Sequence, residues 1–240
     1  MTLEISGVRK AFGGNVVISG TTLAPEKGLI TSLVGPNGAG KTTLFNLITG
    51  FLRPDEGEIR YQGRSLIGLK PQKITAMGLA RSFQSLRLFT NMTVFENVLV
   101  SQENSLRPWQ RNRQHHANAE AVLKRVGLLA KRHSPAADLS YAEKKFLSLA
   151  RLMALGAQLY LLDEPASGLD GPSRVAFQQL LRSLQEEGHT ILLIEHNLDI
   201  VREVSDRIAF LNQGVVAALG TPEEIFSNQE LTQIYFGISA

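Results

Sequence analysis

The chain has no cysteine among its 240 residues, which excludes disulfides and any thiolate-held metal and fits a reducing compartment. It also lacks any apolar run near the roughly 18 to 20 residues that a membrane-spanning helix needs. Its first residues, MTLEISGVRK, put charges where a signal peptide would carry an apolar core, so a cytoplasmic chain is expected. An excess of one charge sign is missing too. The formal net charge of +3 is small for this length and gives no sign of a nucleic-acid-binding face. Internal repeats and low-complexity segments are absent. What is left is an ordinary globular composition, 43% hydrophobic and 20% charged, enough for one compact domain with an inserted subdomain.

Within that composition, short β-rich runs alternate with helical stretches, the pattern of an α/β protein with a mainly parallel sheet. LITSLVG ends in a glycine loop, after which Thr42 to Ile48 reads as a helix closed by Gly50. LYLLDEP (Leu159 to Pro165) and HTILLIEH (His189 to His196) have the length of buried strands. Between them Pro172 opens a helix in which Ala176, Leu180 and Leu184 recur every fourth residue, and Gly188 stops it. This strand, helix, strand unit predicts a right-handed crossover. Further on, RIAFLNQGVVAALG reads as a hairpin turning at Asn212 to Gly214, and TPEEIF starts a last helix with a capping box from Thr221 to Glu224.

The middle of the chain differs. From TVFENVLVSQ, opened by a capping box of Thr93 and Glu96, to FLSLARLMALG, helix follows helix. Residues 87–156 are expected to form a helical subdomain inserted into an α/β core made of 1–86 and 157–240. Inside it, LRPWQRNRQHH (Leu106 to His116) is polar and basic and reads as a solvated loop leading into a helix.

Gly35, Gly40, Lys41 and Thr42 fill the pattern G-x-x-x-x-G-K-[ST] between an apolar strand and a helix, the context that a phosphate-binding loop requires. Glycines let backbone N–H groups turn inward around phosphate oxygens, and the following helix points its positive end at them. Lys41 is expected to reach the β and γ phosphates of ATP, and the Thr42 hydroxyl to hold Mg²⁺. Asp163, at the carboxyl end of a buried strand, is suited to complete the metal shell, and Glu164 beside it projects toward the γ phosphate. Burying two adjacent acids for structure alone is costly. Together these residues read as a P-loop NTPase.

DLSYAEKK, Asp138 to Lys145, narrows the reading. Here the chain resembles the ATP-binding subunits of ABC transporters, whose Leu-Ser-Gly-Gly-Gln signature lies just before the carboxylate strand. The resemblance covers essentially the whole length. It implies a RecA-like core with an N-terminal antiparallel β portion. It further implies that Phe12 stacks on adenine, that Asn37, Gly38 and Thr43 join the nucleotide loop, and that Gln84 links metal, water and membrane subunit. Asp170 matches the loop that crosses between subunits, and His196 the switch histidine at the γ phosphate. GLARSFQSLRLFTNMTVFENVLV and GTPEEIFSNQELTQIYFG look most like the ATPase subunits of branched-chain amino-acid importers.

Ser140 is an N-cap, and Glu143 closes a capping box with it, so the helix that begins there offers N–H groups to an anion. By resemblance that helix covers the ATP of a second ATPase subunit, identical or different, and the pair docks on membrane permeases served by a solute-binding protein at the cytoplasmic face. Glu164 is then the general base, with His196 and Lys41 at the phosphoryl group. The signature departs from the family at Ala142, where glycine is the rule, and at Glu143, where glutamine is. A methyl group and a carboxylate at these positions are expected to weaken the site closed in trans and to favour an asymmetric heterodimer. Exporters and soluble clamps acting on nucleic acid or ribosomes share the motifs. Clamps of that kind carry long coiled coils, zinc-binding cysteines or two cassettes per chain.

Overall fold

In the computed structural model, residues 2–102 and 111–236 are described. The chain opens with an antiparallel unit. Strand β1 (Leu3–Phe12) pairs with β2 (Asn15–Leu23), after which β3 (Ile30–Val34) and helix α1 (Lys41–Ile48) leave for a second sheet. The chain then returns as β4 (Glu56–Tyr61), antiparallel to β1, and β5 (Arg64–Ser65), giving a 4-stranded sheet in the order β2-β1-β4-β5.

Helix α2 (Pro71–Ala76) leads to β6 (Leu79–Arg81). Next come α3 (Val94–Gln102), α4 (Arg111–Arg125) and α5 (Tyr141–Met153); among the described residues no strand lies between β6 and β7 (Leu159–Asp163). Of the basic stretch 106–116, residues 106–110 fall outside the described residues, and Arg111 to His116 begin α4. The remainder is α6 (Gly171–Glu186), β8 (Thr190–Ile194), α7 (Leu198–Val204), β9 (Arg207–Asn212), β10 (Val215–Gly220), α8 (Pro222–Ser227) and α9 (Gln229–Phe236). The second sheet is 6-stranded in the order β10-β9-β3-β8-β7-β6, parallel except for the β9–β10 hairpin.

Strands β3, β7 and β8 are buried along their whole length, because layers cover both faces of this sheet. Alternation sorts the side chains of β7 between the two layers. Leu159 and Leu161 join Leu3, Ile59, Leu44 and Phe45 on the side of α1 and the antiparallel sheet. Tyr160 and Leu162 join Val98, Leu123, Leu147 and Phe177 on the other side. The helical segment therefore rests directly on the parallel sheet, sharing a core with α6.

All three expected capping boxes form, at Thr93–Glu96, Ser140–Glu143 and Thr221–Glu224. Small boundary differences have local causes. The helix after the glycine loop starts at Lys41 rather than Thr42, since Gly40 is the left-handed N-cap. The expected last helix is two, because the chain turns extended at Asn228, whose Oδ1 accepts the N–H of Leu231.

Candidate nucleotide site

Parallel strands deliver their carboxyl ends to one edge, and the expected residues gather there. The loop after β3 is shaped by two glycines for different reasons. A side chain at Gly35 (φ 152°) would overlap the Leu211 carbonyl oxygen of β9. One at Gly40 (φ 103°) would stand 2.6 Å from Ile18 Cδ1 and 2.9 Å from Val17 O of β2. The loop is thus wedged between the two sheets, while Asn37 and Gly38 form its exposed lip. Lys41 Nζ crosses beneath, donating to the carbonyls of Gly35 at 2.6 Å and Pro36 at 2.9 Å. Burial pushes its pKa down, and the negative charges of Glu164 and Asp163 pull it back up. Loop lysine and carboxylates therefore feel one another. Thr42 is exposed on the first turn of α1, with Thr43 half-buried beside it.

Asp163 ends β7 and is 5% exposed. Its N–H donates to Ser82 Oγ at 2.8 Å, and its Oδ2 lies 3.7 Å from Arg81 Nη2. Burial raises the Asp163 pKa, and Arg81 opposes the shift. Arg81 is fixed in turn by Asn46 Oδ1 at 2.7 Å and Thr49 Oγ1 at 2.9 Å, with its guanidinium over Phe45, Phe51 and Phe83.

Glu164 follows at φ 48°, a left-handed conformation that a non-glycine residue occupies only when its surroundings hold it there. Its N–H donates to Ile194 O at 2.9 Å. The two carboxylate oxygens face different partners: His196 Nε2 stands 2.9 Å from Oε1, and Gln84 Nε2 donates to Oε2 at 3.3 Å. Beside them opens a hollow of about 240 Å³ lined by Glu164, Ser167, Gly168, Glu195, His196 and Asn197, among others. Two segments distant in sequence thus converge on one carboxylate.

The remaining expected residues lie farther out. Phe12 ends β1 and is 47% exposed, its ring available as a stacking platform. Asp170 is exposed and caps α6, accepting the Ser173 N–H at 2.8 Å. Ser140 caps α5, accepting the Glu143 N–H at 3.2 Å, and Ala142 sits in the first turn. The Glu143 carboxylate is turned back rather than outward. It accepts the Ser140 N–H at 2.9 Å and pairs with Lys131 Nζ at 2.6 Å. The repulsion expected from an uncompensated acid is offset by that lysine.

Sequence reasoning missed three groups at this edge. Arg81 braces Asp163. Glu195, 3% exposed, accepts the N–H groups of Ala166 at 3.0 Å and His196 at 3.3 Å, and burial raises its pKa. Lys145, 6% exposed, donates to the Glu164 carbonyl at 2.9 Å. Each is a charge set directly against an apolar run, the one signal that could have exposed them.

A parallel sheet that brings a G-x-x-x-x-G-K-T loop, a strand-end carboxylate pair and a facing histidine to one edge defines a P-loop NTPase. The comparisons place it further. The family described as ABC transporter matches residues 18–167. The chain is 40% identical to the high-affinity branched-chain amino acid transport ATP-binding protein LivG of Salmonella typhi, covering 98% of this chain and 97% of the relative. Against BraF of Pseudomonas aeruginosa, named for the same transport, the identity is 38% over the same shares. A crystal structure of the ADP conformation of an ATP-binding cassette of an ABC transporter superposes with a TM-score of 0.90 at 27% identity, covering 98% of both chains. The chain belongs to the ABC transporter family, as an ATP-hydrolysing cassette. Among the described residues no helix is long and apolar enough to cross a membrane.

Proposed function

We propose that this cassette powers import of branched-chain amino acids, or close analogues, through separate membrane permeases at the cytoplasmic face of the membrane. The solute class comes from the names of the relatives similar over 98% of the chain. The observation that carries the chemistry is the Glu164 carboxylate held between His196 and Gln84, in electrostatic range of Lys41.

In this reading the glycine-loop N–H groups, including those of Gly38 and Gly40, and the start of α1 receive the phosphates of ATP, while Phe12 stacks on adenine. The Lys41 ammonium exchanges its two loop carbonyls for phosphoryl oxygens. The candidate metal donors are the Thr42 hydroxyl, the Asp163 carboxylate and the Gln84 amide oxygen, all hard oxygens suited to Mg²⁺. When bound, the ion neutralises charge on the β and γ phosphates. Glu164 orients the attacking water and takes up its proton, and His196 steadies the same carboxylate from the other side. Lys41 and the loop dipoles stabilise charge spreading over the transferred group.

The α5 cap, with Ser140 and Ala142, closes on ATP held by a second ATPase subunit, and Asp170 lies at that crossing. A different subunit as partner suits the departure at Ala142. Reconstitution with branched-chain amino-acid permease subunits and a solute-binding protein in vesicles tests the proposal. ATP-dependent uptake of leucine, isoleucine or valine is expected. ATP turnover unaffected by any membrane partner, with no uptake, sinks it.

A further inference from the structure

Helix α5 carries a cation where its packing face calls for an apolar side chain. Lys145, Leu149 and Met153 recur every fourth residue along the buried stripe of α5. An ammonium placed there loses its water, so a buried lysine that is only structural is a poor choice beside leucine. Its surroundings account for its presence. Nζ donates to the Glu164 carbonyl oxygen at 2.9 Å, and the charges it feels are those of Glu195, Glu164 and Asp163.

That carbonyl belongs to the strained residue of the site. Glu164, at φ 48°, is tied to β8 through its N–H and to α5 through its C=O. The two bonds bracket the Cα and so set the direction in which the carboxylate leaves the backbone, toward His196 and Gln84. One turn earlier, the Tyr141 hydroxyl donates to Ser167 O at 3.4 Å, and the Tyr141 ring occupies the space a side chain at Gly168 would need. The first turns of α5 thus grip both ends of the segment from Glu164 to Gly168.

We propose that Lys145 is a positioning residue for Glu164, holding its carbonyl so that the carboxylate stays aimed and so that the capped end of α5 and the glutamate move as one body. The inference rests on reading Glu164 as the general base. It adds a link within one chain between the helix that closes in trans and the base that activates water in cis.

ATP turnover by the full chain assembled with its membrane subunits, measured through a double-substitution cycle, tests it. Lys145→Met keeps the length and removes the donor. It is expected to lower kcat about 10- to 100-fold with KM for ATP changed less than about threefold. Lys145→Arg, which keeps a donor, is expected to recover most of the rate. In a Glu164→Gln background, single-turnover hydrolysis is expected to fall less than about threefold further on adding Lys145→Met, because the group being aimed no longer works as a base. Equal losses in both backgrounds, or a rise in KM with kcat intact, overturn the proposal. If Lys145→Met does not fold, Lys145→Leu, which likewise removes the donor from the buried stripe of α5, is carried through the same cycle with the same expectations. An inactive Glu164→Gln with an unaffected Lys145→Met removes the positioning role alone. An active Glu164→Gln removes the base assignment and the positioning role together.

Discussion

In the proposed function the strand-end edge and the cap of α5 serve the same nucleotide chemistry, and they are built in opposite ways. At the edge, charges are buried. Lys41, Asp163, Glu195 and Lys145 all have pKa values displaced by loss of water, and Glu164 sits in a strained backbone conformation. At the cap, the polar groups are on the surface and satisfy one another: Ser140 and Glu143 exchange two hydrogen bonds, and Lys131 neutralises the acid. Helix geometry alone leaves further first-turn N–H groups facing outward. An edge that costs the fold stability is kept for chemistry inside the chain. A cap stable by itself suits the proposed role of a surface that meets a second subunit.

Substitutions at the edge are expected to break function and stability separately. Glu164→Gln preserves shape and removes the proposed base, so turnover is expected to fall about 100- to 1,000-fold or more while ATP affinity stays within a few fold. Single-turnover assays beside equilibrium nucleotide titration check this, and ordinary turnover removes Glu164 from the mechanism. Arg81→Met acts next, by leaving Asp163 buried without its cation and depriving Asn46 and Thr49 of a donor. The expected loss is about 2–4 kcal/mol, read from urea unfolding. Its pH dependence has a definite sign. Burial already raises the Asp163 pKa above 3.8, and removing Arg81 raises it further. The penalty is absent below that value, where folded and unfolded states both hold the proton, and grows as pH rises above it. Arg81→Met is therefore expected to lose less stability near pH 4 than near pH 7.

The contrast also explains what could be read in advance. The loop, the strand ends and the three capping boxes are legible because each is encoded within about eight residues, by spacing that only one local geometry uses. The partners of those residues are not local. Arg81 reaches Asp163 through the pairing of β6 with β7, and Gln84 reaches Glu164 from a loop 80 positions away. The turn of the Glu143 carboxylate toward Lys131 depends on the path of the chain between α4 and α5, which no periodicity prescribes. Lys145 was legible in principle, since a charge on the apolar stripe of α5 breaks the helical pattern; only the fold reveals that Glu164 receives it.

At the cap, effects are expected to be smaller and to divide between its two departures. Ala142→Gly removes the methyl group nearest an anion docking on the first turn, and a gain of about two- to fivefold in ATPase rate of the assembled complex is expected, with a helix cost of at most about 1 kcal/mol. An unchanged rate means that the methyl does not limit closure. Glu143→Gln acts on stability instead. Lys131, followed by the Ser140 N–H, holds the Glu143 carboxyl below its usual 4.5. The stabilisation is thus present above 4.5 and is lost as pH falls through the folded-state value. Because pair and cap are partly solvated, the loss on Glu143→Gln is expected to be only about 0.3–1 kcal/mol near pH 7 and to shrink toward zero near pH 3, measured by urea unfolding at both. A difference that persists in acid would assign the effect to helix capping by the side chain, because glutamine and protonated glutamate would then differ in shape of hydrogen bonding rather than in charge.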